Sequence, residues 1–253
     1  MKYCKIFNMF KKPEHKTINI KYLPSQGYFY PPNLKMTMYS GKDVDHEYFL
    51  KNLKNSNIFG IIETVKYVLN KRIKIEAKNF SFEQIRAIDL FYIFINFVKF
   101  TTGERIYFSG VEFISNNFMY FNFEEYAEYY EETTREYIFD GWRFSLPSIG
   151  IESSLNKFSY EITIKGELKK YQNSNYNLIY FLGNQYKLNY EEMLNIILIM
   201  DDLSKKDKSY INEIVEKFSN VGIYLLISEG SVPVKISPNM IKEIWPKQIN
   251  QIL

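Results

Sequence analysis

Asp43-Val44-Asp45-His46-Glu47 sets three carboxylates and one imidazole within five residues, the one cluster here with the makings of a metal or acid-base site. Such a group could hold a divalent cation through oxygen and nitrogen donors, or pass protons between an acid and a base. The same residue types gather at helix N-termini for an electrostatic reason, because acids complement the helix dipole and Asp side chains accept from free N–H groups. The helix-start reading is the expectation. A carboxylate-dependent hydrolase built on Asp43, Asp45 and Glu47 remains as an alternative.

The rest of the chemistry is sparse. His15 and His46 are the only histidines, and neither stands in a zinc-type spacing with Cys or carboxylates. Neither G-x-G-x-x-G nor G-x-x-x-x-G-K-[ST] occurs, so no phosphate-cradling loop is expected. A glycosidase needs two acids at a defined separation, which sequence does not fix. Asp201-Asp202 closes a predicted helix at the end where acids oppose the dipole, an oddity that a partner's Lys or Arg would relieve. The expectation is therefore a protein that is not an enzyme, with no catalytic, cofactor-binding or metal-ligating residues and no cofactor.

The chain carries 22 Tyr and 21 Phe, enough to supply stacking platforms for single-stranded nucleic acid if cations interleaved with the rings. They do not: Tyr28-Phe29-Tyr30 meets no cation before Lys35, and Tyr126, Tyr129 and Tyr130 sit among Glu124, Glu125, Glu128, Glu131 and Glu132, which repel phosphate. Aromatic anchors for a protein interface fit better, with single-stranded nucleic-acid binding kept as an alternative. The leading candidate interface is Leu23, Pro24, Gly27, Tyr28, Phe29, Tyr30 and Pro31. Pro24 and Pro31 fix φ and push the preceding residue toward extended geometry, and Gly27 can take the positive φ of a tight turn. The segment reads as an extended arm, a turn and a second extended arm, able to lie along a neighbour.

These residues need elements to hold them. At 253 residues with 46% hydrophobic content, the chain can bury a core as one large domain or two small ones. Its net charge of +3 is spread through alternating Lys and acids, without the stripe of cations that nucleic acid requires. Cys4 is the only cysteine, which excludes an internal disulfide framework and fits a reducing compartment. No secretory signal is read at Met1–Lys12, and Ala87–Phe100 is too short and too interrupted to span a membrane. A soluble, intracellular protein is expected.

Period and punctuation predict the elements. Thr17–Tyr22 and Asn33–Tyr39 alternate as strands that could pair across the Pro/Gly turn. Ile58, Ile61, Ile62, Val65, Val68 and Leu69 recur at helical spacing. Ser81 and Gln84 form a capping-box pattern before Phe82–Phe100, an enclosed helix apolar nearly all round that Thr101-Thr102-Gly103 stops. Glu104–Phe123 reads as aromatic strands, and Glu124–Glu132 as a solvated helix with a Tyr stripe. Trp142–Phe144 and Phe158–Ile164 return to strand character. Asn189 with Glu192 caps a helix to about Leu203, Lys205-Lys206-Asp207 makes a charged break, and Tyr210–Phe218 forms a second helix. Ile223–Ile227 and Val232–Ile236 read as strands, and Pro238–Trp245 as a closing helix. The class is α+β: a strand-rich N-terminal arm, a central buried apolar helix, and a mixed C-terminal part with two helices and short strands. The expected division runs near Asp140-Gly141, giving a 1–140 region with the docking arm and helical core and a 141–253 α+β region. The pentad Leu-Pro-Ser-x-Gly occurs at 23–27 and again at 146–150, an echo that would suit an internal duplication.

Leu23-Pro24-Ser25 with Gly27, Tyr30 and Pro31 resembles the L-P-S-x-G-x-x-Y-P signature of the baseplate hub and hub-assembly proteins of T-even-type contractile-tailed bacteriophages. Asp89-Leu90-Phe91-Tyr92-Ile93 is similar to the family's D-L-L-Y-I helix, and Trp142–Pro147 to its mid-chain Leu-Pro strand. Tyr180–Asn184, followed by Tyr190-Glu191-Glu192, also fits. The chain departs from members that carry a Cys-x-x-Cys pair after the apolar helix. The resemblance implies a non-enzymatic tail-baseplate hub component or assembly factor, a partner of other tail proteins, found in the virion or in host cytoplasm during assembly. The acidic face from Glu124 to Glu132 would then set orientation against a basic partner.

Overall fold

Two alternating segments joined by a rigid turn are enough to begin a sheet. In the computed structural model, which describes residues 15–27, 30–53, 58–103, 106–108, 111–113, 119–121, 137–139, 142–144, 146–164, 188–220, 223–225 and 234–245, β1 (His15–Ile18) pairs antiparallel with β2 (Lys35–Tyr39). β3 (Ile73–Glu76) lies on the other side of β2, giving the order β1-β2-β3. The pairing across the turn is the expected one. However, β1 stops at Ile18, and Ile20–Tyr22 tightens into a 3-10 turn instead of continuing as strand. Asn19 is the cause, because its side chain accepts the Lys21 N–H and so offers the backbone a local alternative to the ladder.

α1 (Asp43–Leu53) and α2 (Ile58–Arg72) follow and pack on each other. α3 (Ala87–Thr102) is the enclosed central helix, with no exposed residue along its length, and Gly103 ends it in the left-handed conformation at φ 69°. Its start corrects the sequence expectation. The Ser81/Gln84 capping box is present, but it opens only a 3-10 turn at Phe82–Gln84; Ile85 and Arg86 are extended, and the helix begins at Ala87. The extended pair is held by another segment: Ala87 N–H donates to Pro147 O at 2.8 Å, Ile149 N–H donates to Ile85 O at 2.8 Å, and Arg86 bridges Ser148.

α4 (Ile149–Ile164) overturns the strand read at Phe158–Ile164. Ser148 Oγ accepts the Ile151 N–H at 3.3 Å, and Ile151, Leu155 and Phe158 are buried at helical spacing, so packing overrides the β-type residues. α5 (Tyr190–Asp202) carries the expected Asn189/Glu192 capping box. The charged break at Lys205 is instead the first turn of α6 (Lys205–Asn220), which Ser204 caps by accepting the Asp207 N–H. α7 (Pro238–Ile244) closes the described chain and packs on α2 and α3.

The remaining strands are short. β4 (Ile106–Phe108) pairs with β5 (Val111–Phe113), and β7 (Tyr137–Phe139) with β8 (Trp142–Phe144). β6 (Met119–Phe121) joins β9 (Ile223–Leu225) and β10 (Val234–Lys235) in the order β10-β9-β6. The chain is mixed α and β and mostly helical among the described residues, with about seven helices. One hydrophobic cluster takes Leu23, Met36, Phe49, Val65 and Phe94 together with Ile149, Ile241, Ile244 and Trp245, so core packing crosses the 140/141 position. Among the described residues, no helix is long and apolar enough to cross a membrane.

Candidate functional site

The turn after β1 does not lie free on the surface. Leu23 and Pro24 are buried, Pro31 is partly buried, and Tyr30 is 7% exposed. As anchors for a partner, Leu23, Pro24 and Tyr30 are therefore corrected: the chain's own core takes up these side chains. Gly27 does take positive φ, at 73°, and its missing side chain makes room for Ile20. Tyr28 and Phe29 lie outside the described residues, as does the acidic stretch Glu124–Glu132.

Asp89, at the first turn of α3, is what the turn grips. Ser25 gives its carboxylate two donors, the backbone N–H at 2.8 Å and Oγ at 2.6 Å, and Tyr30 Oη gives a third. Tyr30 Oη also accepts the Arg86 N–H at 2.9 Å, and Arg86 Nη1 donates to Leu146 O at 2.6 Å. Burial pushes the Asp89 carboxyl up to about 6, against the pull of its donors and of the Arg86 charge. Burial also drives the Tyr30 phenol well above its ordinary value, with the Asp89 charge adding to it, so Tyr30 stays a donor. A fully enclosed carboxylate offers no face to a substrate. The node fastens the first Leu-Pro-Ser-x-Gly pentad to α3, and the second pentad docks on the same helix start.

The Asp43–Glu47 cluster is pulled apart by helix geometry. Asp45 is buried; its carboxylate accepts the Lys42 N–H at 2.8 Å, which caps α1, and Arg72 Nε and Nη2 at 2.7 and 2.6 Å. His46 is buried with its ring 5.1 Å from that of Trp245, whereas Asp43 and Glu47 are exposed. The four side chains converge on no common point. Among the described residues, no group of three or more His, Cys, Asp or Glu could hold a metal ion. At the C-terminus of α5, Lys208 Nζ donates to Asp201 O at 2.6 Å, so the chain itself supplies a cation to that helix end.

What the structure leaves open is a groove of about 280 Å³ between β1 and α3. Lys16, Thr17, Ile18, Asn19 and Tyr22 form one wall, and Tyr92, Ile93 and Asn96 of α3 the other, with Met38 also lining it. Tyr22 is 67% exposed, and Asn96 Nδ2 donates to Tyr92 O at 2.9 Å within the helix. Burial raises the Tyr92 phenol above its ordinary range, so it remains a hydroxyl donor. None of these residues was singled out by sequence. The alternation of Thr17–Tyr22 and its lack of carboxylates were visible, but not that α3 would lie beside it.

Compared with known protein families, with curated proteins and with solved structures, the chain matches none.

Proposed function

We propose that this chain is a non-enzymatic protein-binding component of a contractile phage tail, acting at the baseplate as a hub component or hub-assembly factor. One observation carries the reading. The segments that resemble the baseplate family lie far apart in sequence, yet Ser25 and Tyr30 of the first, Asp89 of the second and Leu146 of the third meet in one hydrogen-bonded node. Short motifs of common residues have no physical reason to converge, so the likeness is one of arrangement as well as composition. With Leu23 and Tyr30 taken by the core, binding falls to the surface beside the turn, where Tyr22 stands exposed at the groove.

The test is quantitative mass spectrometry of purified phage particles and of tail-assembly intermediates from infected lysate. A fixed copy number in particles is the result for a hub component. Presence on intermediates with absence from particles is the result for an assembly factor. Absence from both overturns the proposal.

A further inference from the structure

Strand β1 leaves part of its sheet's inner face uncovered. Lys16 and Ile18 stand opposite Met38 and Met36 in the ladder, so all four side chains share one face. Met36 and Met38 are buried against the core, whereas Ile18 is half-buried and Lys16 exposed. The face is closed at β2 and open at β1, and the opening is the groove that Tyr92, Ile93 and Asn96 line from the helix side. Four consecutive residues, Lys16 to Asn19, line it. Successive strand side chains point to opposite faces, so a run of this kind presents the backbone edge itself. β1 is also the terminal strand of its sheet, with no further strand beside it among the described residues.

Size and charge define the occupant. A volume of about 280 Å³ falls at the bottom of the roughly 300–1,000 Å³ range of small-molecule pockets, and suits an inserted side chain better than a cofactor. Lys16 is the only charged residue lining it, and no carboxylate occurs from His15 to Tyr22. Asp89, on the same helix as Tyr92, is fully buried behind its own three donors.

We propose that β1 is a docking edge for an extended segment of another protein, one that alternates apolar and acidic residues. The segment adds as a fourth strand beside His15–Ile18, sets an apolar side chain between Ile18, Tyr22 and Tyr92, and lays a carboxylate beside Lys16. This inference rests on the protein-binding reading above and supplies the chemistry of the partner.

The test uses the full chain and two fluorescent peptides of equal length, one alternating Val with Glu and the other Val with Lys, followed by anisotropy. The Val/Glu peptide is expected to bind saturably, and the Val/Lys peptide is not. Lys16→Glu and Tyr22→Ala should each weaken binding by about tenfold, and N-methylation of the peptide backbone should abolish it. Both positions are exposed, and an unchanged melting temperature in each variant separates lost binding from lost folding. Carbodiimide crosslinking then identifies the occupant: a bond between Lys16 and a peptide Glu supports the proposal. A bond from Lys16 to a carboxylate of the same chain or of a second copy overturns it, as does equal binding of the two peptides or binding of neither. Peptide binding by a chain that is absent from particles and intermediates would remove the baseplate reading and keep the docking edge. The reverse pair of results would remove the edge alone.

Discussion

Asp89 shows how one buried carboxylate makes stability depend on pH. Its folded-state value of about 6 lies above the ordinary 3.8, because desolvation outweighs the donors from Ser25 and Tyr30. Between those two values the folded chain holds a proton that the unfolded chain has released, so this group's contribution to stability falls as pH rises from about 4 to 6 and is level above. The fall amounts to about 3 kcal/mol from the two-unit difference. Asp89→Asn should remove that slope in urea unfolding measured across about pH 4 to 7, while Asp89→Ala should lower stability at every pH because Arg86 stays buried without the opposing charge. A slope that persists in the Asn variant would assign it to another group. Gly27 is the second residue-scale case. At φ 73° an alanine there carries a left-handed cost of about 1–2 kcal/mol, and its Cβ meets Ile20 Cγ2, so Gly27→Ala should unfold at lower urea concentration than the parent protein.

At the scale of elements, local signals were read well and long-range ones were not. Asn189 with Glu192, Gly103, and the apolar spacing of α2 mark their helices because caps and amphipathic faces are written in adjacent residues. Ser81 and Gln84 also form their capping box, yet the helix waits until Ala87, since Ile85 and Arg86 bond to Pro147 and Ile149, more than sixty positions away. No window around Ser81 contains that partner. Phe158–Ile164 misled for the same reason, its β-type residues being drawn into a helix by contacts such as Phe158 on Tyr190. The groove was illegible likewise: Lys16 and Tyr92 look ordinary until β1 is laid along α3. The α1–α2 pair offers a direct test, because Asp45, 5% exposed, is held by Arg72 from the far end of α2. Arg72→Met should cost about 3 kcal/mol by leaving that carboxylate buried and unpaired, and adding Asp45→Asn should recover part of the loss. Additive losses in the double variant would mean the two residues act independently.

For the whole molecule, the question is whether the chain is one cooperative unit. Trp245, 4% exposed near the end of the described chain, lies within 5.1 to 6.1 Å, ring to ring, of His46, Phe49, Phe94 and Phe97. α7 therefore seals a core whose other walls are α1, α2 and α3. Arg86 reaches Leu146 from the same side, and Lys66 on α2 donates to Ser153 on α4 at 2.8 Å. A chain cut at residue 140 loses every one of these partners and exposes the apolar faces that they cover. The 1–140 fragment should then lack a cooperative urea transition and near-ultraviolet circular dichroism, while the full chain unfolds in one step. Trp245→Ala in the full chain should cost about 3–5 kcal/mol, since it opens a cavity among four rings. If the fragment instead unfolds cooperatively, the region before Asp140-Gly141 is a domain in its own right and α7 is an accessory to it. The two outcomes differ in consequence for binding, because the groove is walled by β1 and α3, and α3 draws its rigidity from both halves of the chain.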